Sequence, residues 1–267
     1  MSSQPKAIDQ ILDLDTFPLN EPESERCKAL VEQCRADLES EGMFNLEGFV
    51  RPASLLEAVE ELSPKMMRES FTHSRRHNIY FKKTISGLDP DHPALQEVET
   101  VNHTLCGDQL SSNVITQVYE WQPLIDFLAK VMSREKLFAM DDPLARLNVM
   151  AYRQGETLNW HFDRSEFTTT LLLQAPEKGG EFEYRTDLRS ADNPNYEGVA
   201  RLLRGEDPDK KSIAPTPGTL NVFKGINTPH RVTKIEGGRE RIIAVFSYYD
   251  RPGVVFSEEE RLGFYGR

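Results

Sequence analysis

Cysteine is scarce in this chain of 267 residues: Cys27, Cys34 and Cys106, with no CxxC pair among them. So few, odd in number and scattered, they exclude a disulfide framework and a thiolate zinc site. They make a reducing cytoplasm the expected compartment. Long apolar runs are missing as well; none approaches the ~18 residues that a membrane-spanning helix needs. The opening MSSQPKAIDQILDLD lacks a basic stretch followed by an apolar one, so no secretory signal is expected. Positive charge is in deficit, with 32 Lys and Arg against 43 Asp and Glu, a net −11. Phosphate backbones and anionic lipid are held mainly by Lys and Arg, so neither nucleic acid nor a membrane is an expected partner. The glycine pairs Gly179-Gly180 and Gly237-Gly238 read as turns, without the strand–GxGxxG–helix setting of a dinucleotide site.

What remains is ordinary globular material, 38% hydrophobic and 28% charged, enough for a core and a solvated surface. Residues 1–22 are polar and punctuated by proline, and read as an arm. Residues 23–41 place Cys27, Leu30, Val31, Cys34 and Leu38 on one helical face. Phe44, Leu46 and Phe49 suggest a short strand. Residues 52–67 suggest a second helix with proline in its first turn, kinked or ended early by Pro64. One further helix is expected within 108–137, centred on 121–132.

From Leu144 the texture changes to short β-type segments: ARLNVMAY, FTTTLLLQ, GEFEY, GTLNVF, HRVTKI and RIIAVFSYY. Gly, Pro, Asn and Asp separate them, as in a sandwich or barrel. One long polar excursion, residues 185–211, interrupts them with a short helix expected at 196–203; excursions of this length are often lids. The expected fold is mostly β with flanking helices (α+β). A single domain is divided into a mainly helical part (1–143), a β core (144–250) and a tail (251–267).

The sharpest chemical signal is His161-Phe162-Asp163. On a strand, residues i and i+2 share a face, so His161 and Asp163 can grip one metal ion. His230, 69 residues on, begins another β-type segment and can be the third ligand. Two imidazoles and a carboxylate form the facial triad of non-heme Fe(II) oxygenases. By itself, HxD is weak evidence, since a lone strand histidine is commonplace. Eleven residues past His230, Arg241 heads the apolar run IIAVFSYY, where it can hold a carboxylate through two parallel hydrogen bonds or merely cap an edge. The order HxD, His, Arg, β-run is far more specific than any part.

With these residues in place, the segment 148–249 resembles the Fe(II)/2-oxoglutarate-dependent dioxygenases. The resemblance rests on TLNWHFDRSEFTTTLLLQAPEKGGEFEY and PGTLNVFKGINTPHRV. It is closest to the free-amino-acid hydroxylases and halogenases, through RRHNIYF, HTLCGDQL and DPLARLNVMAY upstream. The resemblance implies a double-stranded β-helix (jelly-roll) core. It implies Fe(II) on His161, Asp163 and His230, with the distal carboxylate of 2-oxoglutarate on Arg241. Tyr152, Thr170 and Asn221 are candidates for further hydrogen bonds to that co-substrate, with no choice among them.

In the halogenase members a small residue replaces the carboxylate ligand so that chloride can bind. Asp163 departs from them and matches the hydroxylases. The implied reaction consumes O2 and 2-oxoglutarate, releases succinate and CO2, and hydroxylates an unactivated C–H of a small molecule, a free amino acid above all. Desaturation or cyclisation with the same cofactors, a peptide substrate, a cupin-type hydrolase and a non-catalytic metal-binding module stay open. For the substrate, Arg75, Arg76 and His77 are candidates, with a solvated basic loop as the equal alternative; Arg164 joins them if a turn brings it inward. Oligomeric state is left open, with a homodimer among the choices.

Overall fold

The structure, a computed structural model, describes residues 6–110 and 113–267. The start of the expected arm, residues 1–5, lies outside them. The rest of the arm lies on the body: the single turn α1 (Ile8–Ile11) and the residues after it bury Ile11, Leu12, Phe17 and Leu19. Ser24 caps α2 (Glu25–Ser40), accepting from the Cys27 amide, and Cys27, Val31, Cys34 and Leu38 form its buried stripe. Strand β1 (Met43–Leu46) leads to α3 (Pro52–Glu69), which starts on its proline.

Pro64 does not end α3; the helix runs five residues further. The missing N–H costs one bond, and the neighbouring Leu62 and Met66, fully buried, hold the helix in register. Strands β2 (Phe71–His77) and β3 (Val98–Leu105) follow. The helix expected over 121–132 is two helices, α4 (Val114–Glu120) and α5 (Gln122–Val131). Trp121 between them is extended (φ −72°, ψ 111°) because Pro123 cannot continue a helix through the preceding turn.

The β region then supplies β4 (Phe138–Ala139), β5 (Leu147–Tyr152), β6 (Leu158–His161), β7 (Thr168–Gln174) and β8 (Phe182–Tyr184). The polar excursion carries α6 (Tyr196–Leu203) and β9 (Lys211–Ile213). The chain closes with β10 (Leu220–Phe223), β11 (His230–Val232), β12 (Arg241–Phe246), β13 (Tyr248–Tyr249) and α7 (Glu258–Tyr265).

A seven-stranded antiparallel sheet runs β1-β10-β7-β12-β5-β3-β2, and a four-stranded one runs β6-β11-β8-β9. The N-terminal part is thus less helical than its pattern suggested, since three of its strands complete the major sheet. One face of that sheet packs Val149, Ala151, Leu171, Leu173, Leu220, Val222, Ile242 and Ala244 against the helices. Strand alternation turns the intervening residues to the other face. There a cavity of about 930 Å³ opens between the two sheets.

Candidate active site

Strand pairing brings the two histidines together. β11 lies antiparallel to β6, with His230 directly opposite His161, and their ring centroids are 4.2 Å apart. β6 ends at His161, so Asp163 sits in the loop beyond rather than on the expected strand. The loop is tied back by the Asp163 amide donating to the Gly225 carbonyl at 3.0 Å. Asp163 Oδ1 then stands 3.4 Å from His161 Nε2 and 3.6 Å from His230 Nε2. One donor atom from each residue falls within 4.8 Å of the others.

Each part of this triad is oriented. His161 Nδ1 lies 2.8 Å from the Asn159 carbonyl and His230 Nδ1 3.0 Å from that of Thr228. A carbonyl only accepts, so both Nδ1 atoms carry the proton and both Nε2 lone pairs point to the centre, as metal ligands require. Thr168 Oγ1 donates to Asp163 Oδ2 at 2.6 Å and leaves Oδ1 for the ion. Gly225 is the cradle: a Cβ there would meet Asp163 Oδ2 at 2.1 Å.

Burial, with repulsion from His161, pushes His230 down to about 4, so it is a neutral ligand at neutral pH. Burial also pushes Asp163 upward. The neighbouring His230 and His161 and the hydrogen bond from Thr168 outweigh it and hold the carboxyl well below the usual range. Two imidazoles and an ionised carboxylate suit a divalent ion with open positions, Fe(II) in particular.

Arg241 opens β12 opposite Tyr152 of β5, with 2% of its surface exposed. Its Nε has no hydrogen-bond partner and no carboxylate lies within ion-pair distance, among the described residues. Burial lowers this arginine to about 10. A buried guanidinium without a counter-ion is costly unless a ligand supplies one. An unpaired fork in the cavity that holds the triad fits the distal carboxylate of 2-oxoglutarate. Tyr152, Thr170 and Asn221 line the same cavity. Asn221 Nδ2 is already engaged by Asn45 Oδ1 at 2.8 Å and Met43 Sδ at 3.7 Å. Tyr152 and Thr170 therefore have the hydroxyls available to donate.

Alternation separates the substrate candidates. Arg75 and His77 face the cavity; Arg76 points the other way, 3.6 Å from Glu97. Arg76 is therefore removed from the cavity lining, because adjacent strand residues face opposite sides. The Arg75 guanidinium lies 4.8 Å above the Phe81 ring, which stacks on His77 at 4.7 Å and stands 6.4 Å from His161. Phe81 has φ +55°, rare for an aromatic residue. The buried Asn78 fixes that turn: its Oδ1 accepts from the Tyr80 and Lys82 amides and its Nδ2 donates to the Lys82 carbonyl. Arg164 reaches the cavity mouth by the turn that follows Asp163, mostly exposed.

Sequence reasoning missed Thr168, Gly225 and Phe81. The TTT run after HxD and the glycine opposite it were the available signals for the first two. Trp160, beside His161, packs with Ile79, Phe162, Leu188 and Val199 under the polar excursion, as a core aromatic would.

A two-sheet core with this triad and a buried arginine beyond it defines a 2-oxoglutarate/Fe(II) oxygenase. The profile of a family described as Halogenase D matches residues 27–254, and the chain belongs to that family. No curated protein matches it. Among solved structures, it is similar to a 2OG-Fe(II) oxygenase family oxidoreductase from Burkholderia pseudomallei (16% identity, 84% of this chain and 92% of that one, TM-score 0.50). It is also similar to SnoN, a non-heme α-ketoglutarate-dependent epimerase of nogalamycin biosynthesis (14% identity, 84% of each chain, TM-score 0.57). A third is a prolyl hydroxylase from Trichoplax adhaerens (12% identity, 86% and 96%, TM-score 0.51). These likenesses concern the fold.

Proposed function

We propose that the protein hydroxylates an unactivated C–H of a small molecule, a free amino acid, with 2-oxoglutarate as co-substrate. The observation that carries the reading is the side chain at the third ligand position. Asp163 fills it with a braced carboxylate, 3.4 and 3.6 Å from the two histidine Nε2 atoms. A halide would need that position vacated, so the reading is hydroxylation although the family is described by halogenation.

His161, Asp163 and His230 hold the iron, Arg241 the distal carboxylate of 2-oxoglutarate, and Tyr152 and Thr170 add hydrogen bonds to it. When bound, iron, 2-oxoglutarate and O2 supply the oxidation, with release of succinate and CO2. The chain's part is to fix geometry and exclude water. Thr168 and Gly225 hold Asp163 to one rotamer. The carbonyls of Asn159 and Thr228 keep both imidazoles in the ligating tautomer. Arg75, over the Phe81 ring, is the receptor for the substrate's carboxylate.

Anaerobic addition of Fe(II) and 2-oxoglutarate tests the assignment. A weak visible charge-transfer band is expected in the wild type, lost in His161→Ala and weakened in Arg241→Ala. With oxygen, chloride and an amino acid, the product is expected to gain one oxygen atom and no chlorine. A folded, metal-loaded protein without the band, or a chlorinated product, overturns the reading.

A further inference from the structure

The family match ends at residue 254, yet the cavity wall does not. Helix α7 lies beyond it and contributes Glu260, Phe264 and Tyr265 to the lining. The helix is firmly seated. The Tyr265 hydroxyl donates to Asn148 Oδ1 at 2.8 Å, and Arg261 Nε donates at 2.8 Å to Asp142, which is wholly buried. The Phe264 ring stacks on His73 at 6.4 Å, two residues along β2 from Arg75. A segment expected to be a tail is thus one wall of the site.

Charge gives this wall its meaning. Among the described lining residues the carboxylates are Asp163 and Glu260, and Asp163 belongs to the metal. The lining arginines are Arg75, Arg164, Arg189 and Arg241. A zwitterion entering such a cavity finds ample cation for its carboxylate and one acid for its ammonium.

Glu260 is built to offer one oxygen. Its Oε2 is held by the amide and hydroxyl of Ser257, both at 3.0 Å, in a capping box. Oε1 faces Arg164 Nη1 at 3.1 Å. That partner is mostly exposed, with its guanidinium 5.5 Å from the Phe264 ring centroid, and an ion pair open to water is weak. The exchange of Arg164 for another cation therefore costs little, while the helix cap keeps the carboxylate aimed.

We propose that Glu260 is a specificity-determining residue that receives the substrate's ammonium group, displacing Arg164. The proposal rests on the amino-acid reading above. Residues from beyond the family-matched segment then help choose the substrate.

The test is binding to the full chain loaded anaerobically with Fe(II) and 2-oxoglutarate, followed by calorimetry. The probes are the twenty common L-amino acids and their N-acetyl derivatives. At least one free amino acid is expected to bind, with its N-acetyl form weaker by roughly tenfold or more. Glu260→Gln keeps the capping box but loses the charge, and is expected to weaken the free form by a similar factor and leave the N-acetyl form unchanged. Arg164→Ala frees Oε1 and is expected to tighten binding several-fold, a gain that a merely structural role for Glu260 would not give. If no free amino acid binds, if acetylation makes no difference, or if Glu260→Gln binds as the wild type does, the proposal falls. The charge-transfer band, which needs no substrate, reports separately on whether the oxygenase reading stands.

Discussion

Replacing Arg241 by methionine should move stability and ligand binding in opposite directions. Burial lowers the Arg241 guanidinium from its ordinary value to about 10. The unfolded chain therefore holds this proton more tightly than the folded one. At one pH unit per 1.36 kcal/mol, the charged side chain costs the ligand-free fold about 3 kcal/mol at neutral pH. The cost is complete below pH 10 and fades as the pH rises beyond it. Methionine keeps an unbranched, flexible stem and removes the charge, so ligand-free Arg241→Met should melt higher by roughly 5–10 °C. The difference should be constant between about pH 6 and 9. With 2-oxoglutarate the gap nearly closes. A ligand at a hundred times its dissociation constant stabilises the wild type by about 2.7 kcal/mol. In the variant the distal carboxylate enters a buried site without a partner, a loss of about 3–5 kcal/mol, or more than a hundredfold in affinity. Thermal unfolding of the metal-loaded proteins, with and without 2-oxoglutarate, reads both effects. A variant that melts lower without ligand and still responds to 2-oxoglutarate would refute the reasoning.

Three further perturbations follow from the geometry. Gly225→Ala puts a methyl group 2.1 Å from Asp163 Oδ2; it should weaken metal binding roughly tenfold or more with all three ligands intact, which a Mn(II) titration checks. Asn78→Ala removes three hydrogen bonds made by a buried side chain and should cost about 2–4 kcal/mol in urea unfolding, while loosening the Phe81 turn. Pro64→Ala restores the N–H missing from the interior of α3 and should raise stability by about 1–3 kcal/mol; an unchanged or lower midpoint would mean that the helix has adapted around its proline.

The iron ligands were legible because their order along the chain, together with the arginine beyond them, forms a pattern that no single residue carries. The strands from Leu144 onward were legible because Val, Ile, Leu and Phe recur in them between turn residues. β2 and β3 were not, and the cause is physical. Their inner faces present His73, Arg75, His77, Thr100, Asn102 and Thr104 to the cavity. A strand whose inward face lines a polar site loses the apolar alternation by which strands are recognised. The same alternation, once the strand is known, separates Arg75 from Arg76. Helix α7 was hidden differently: its acidic first turn reads as a solvated face, and its place against the cavity depends on Asp142 and Asn148, more than a hundred residues earlier.

The edge of the major sheet sets a timetable for the molecule's birth. β1 pairs with β10, Met43 opposite Phe223, so one of the earliest strands to leave the ribosome waits for one of the last. At ordinary synthesis rates of about 5–20 residues per second, that wait lasts roughly ten seconds or more. Through it β1 has no hydrogen-bonding neighbour, and the face on which α2 and α3 settle is still unbuilt. His230 and Arg241 arrive later still. The metal triad and the carboxylate fork cannot exist before the sheet closes, so a nascent chain of this protein has no site at which to misuse iron.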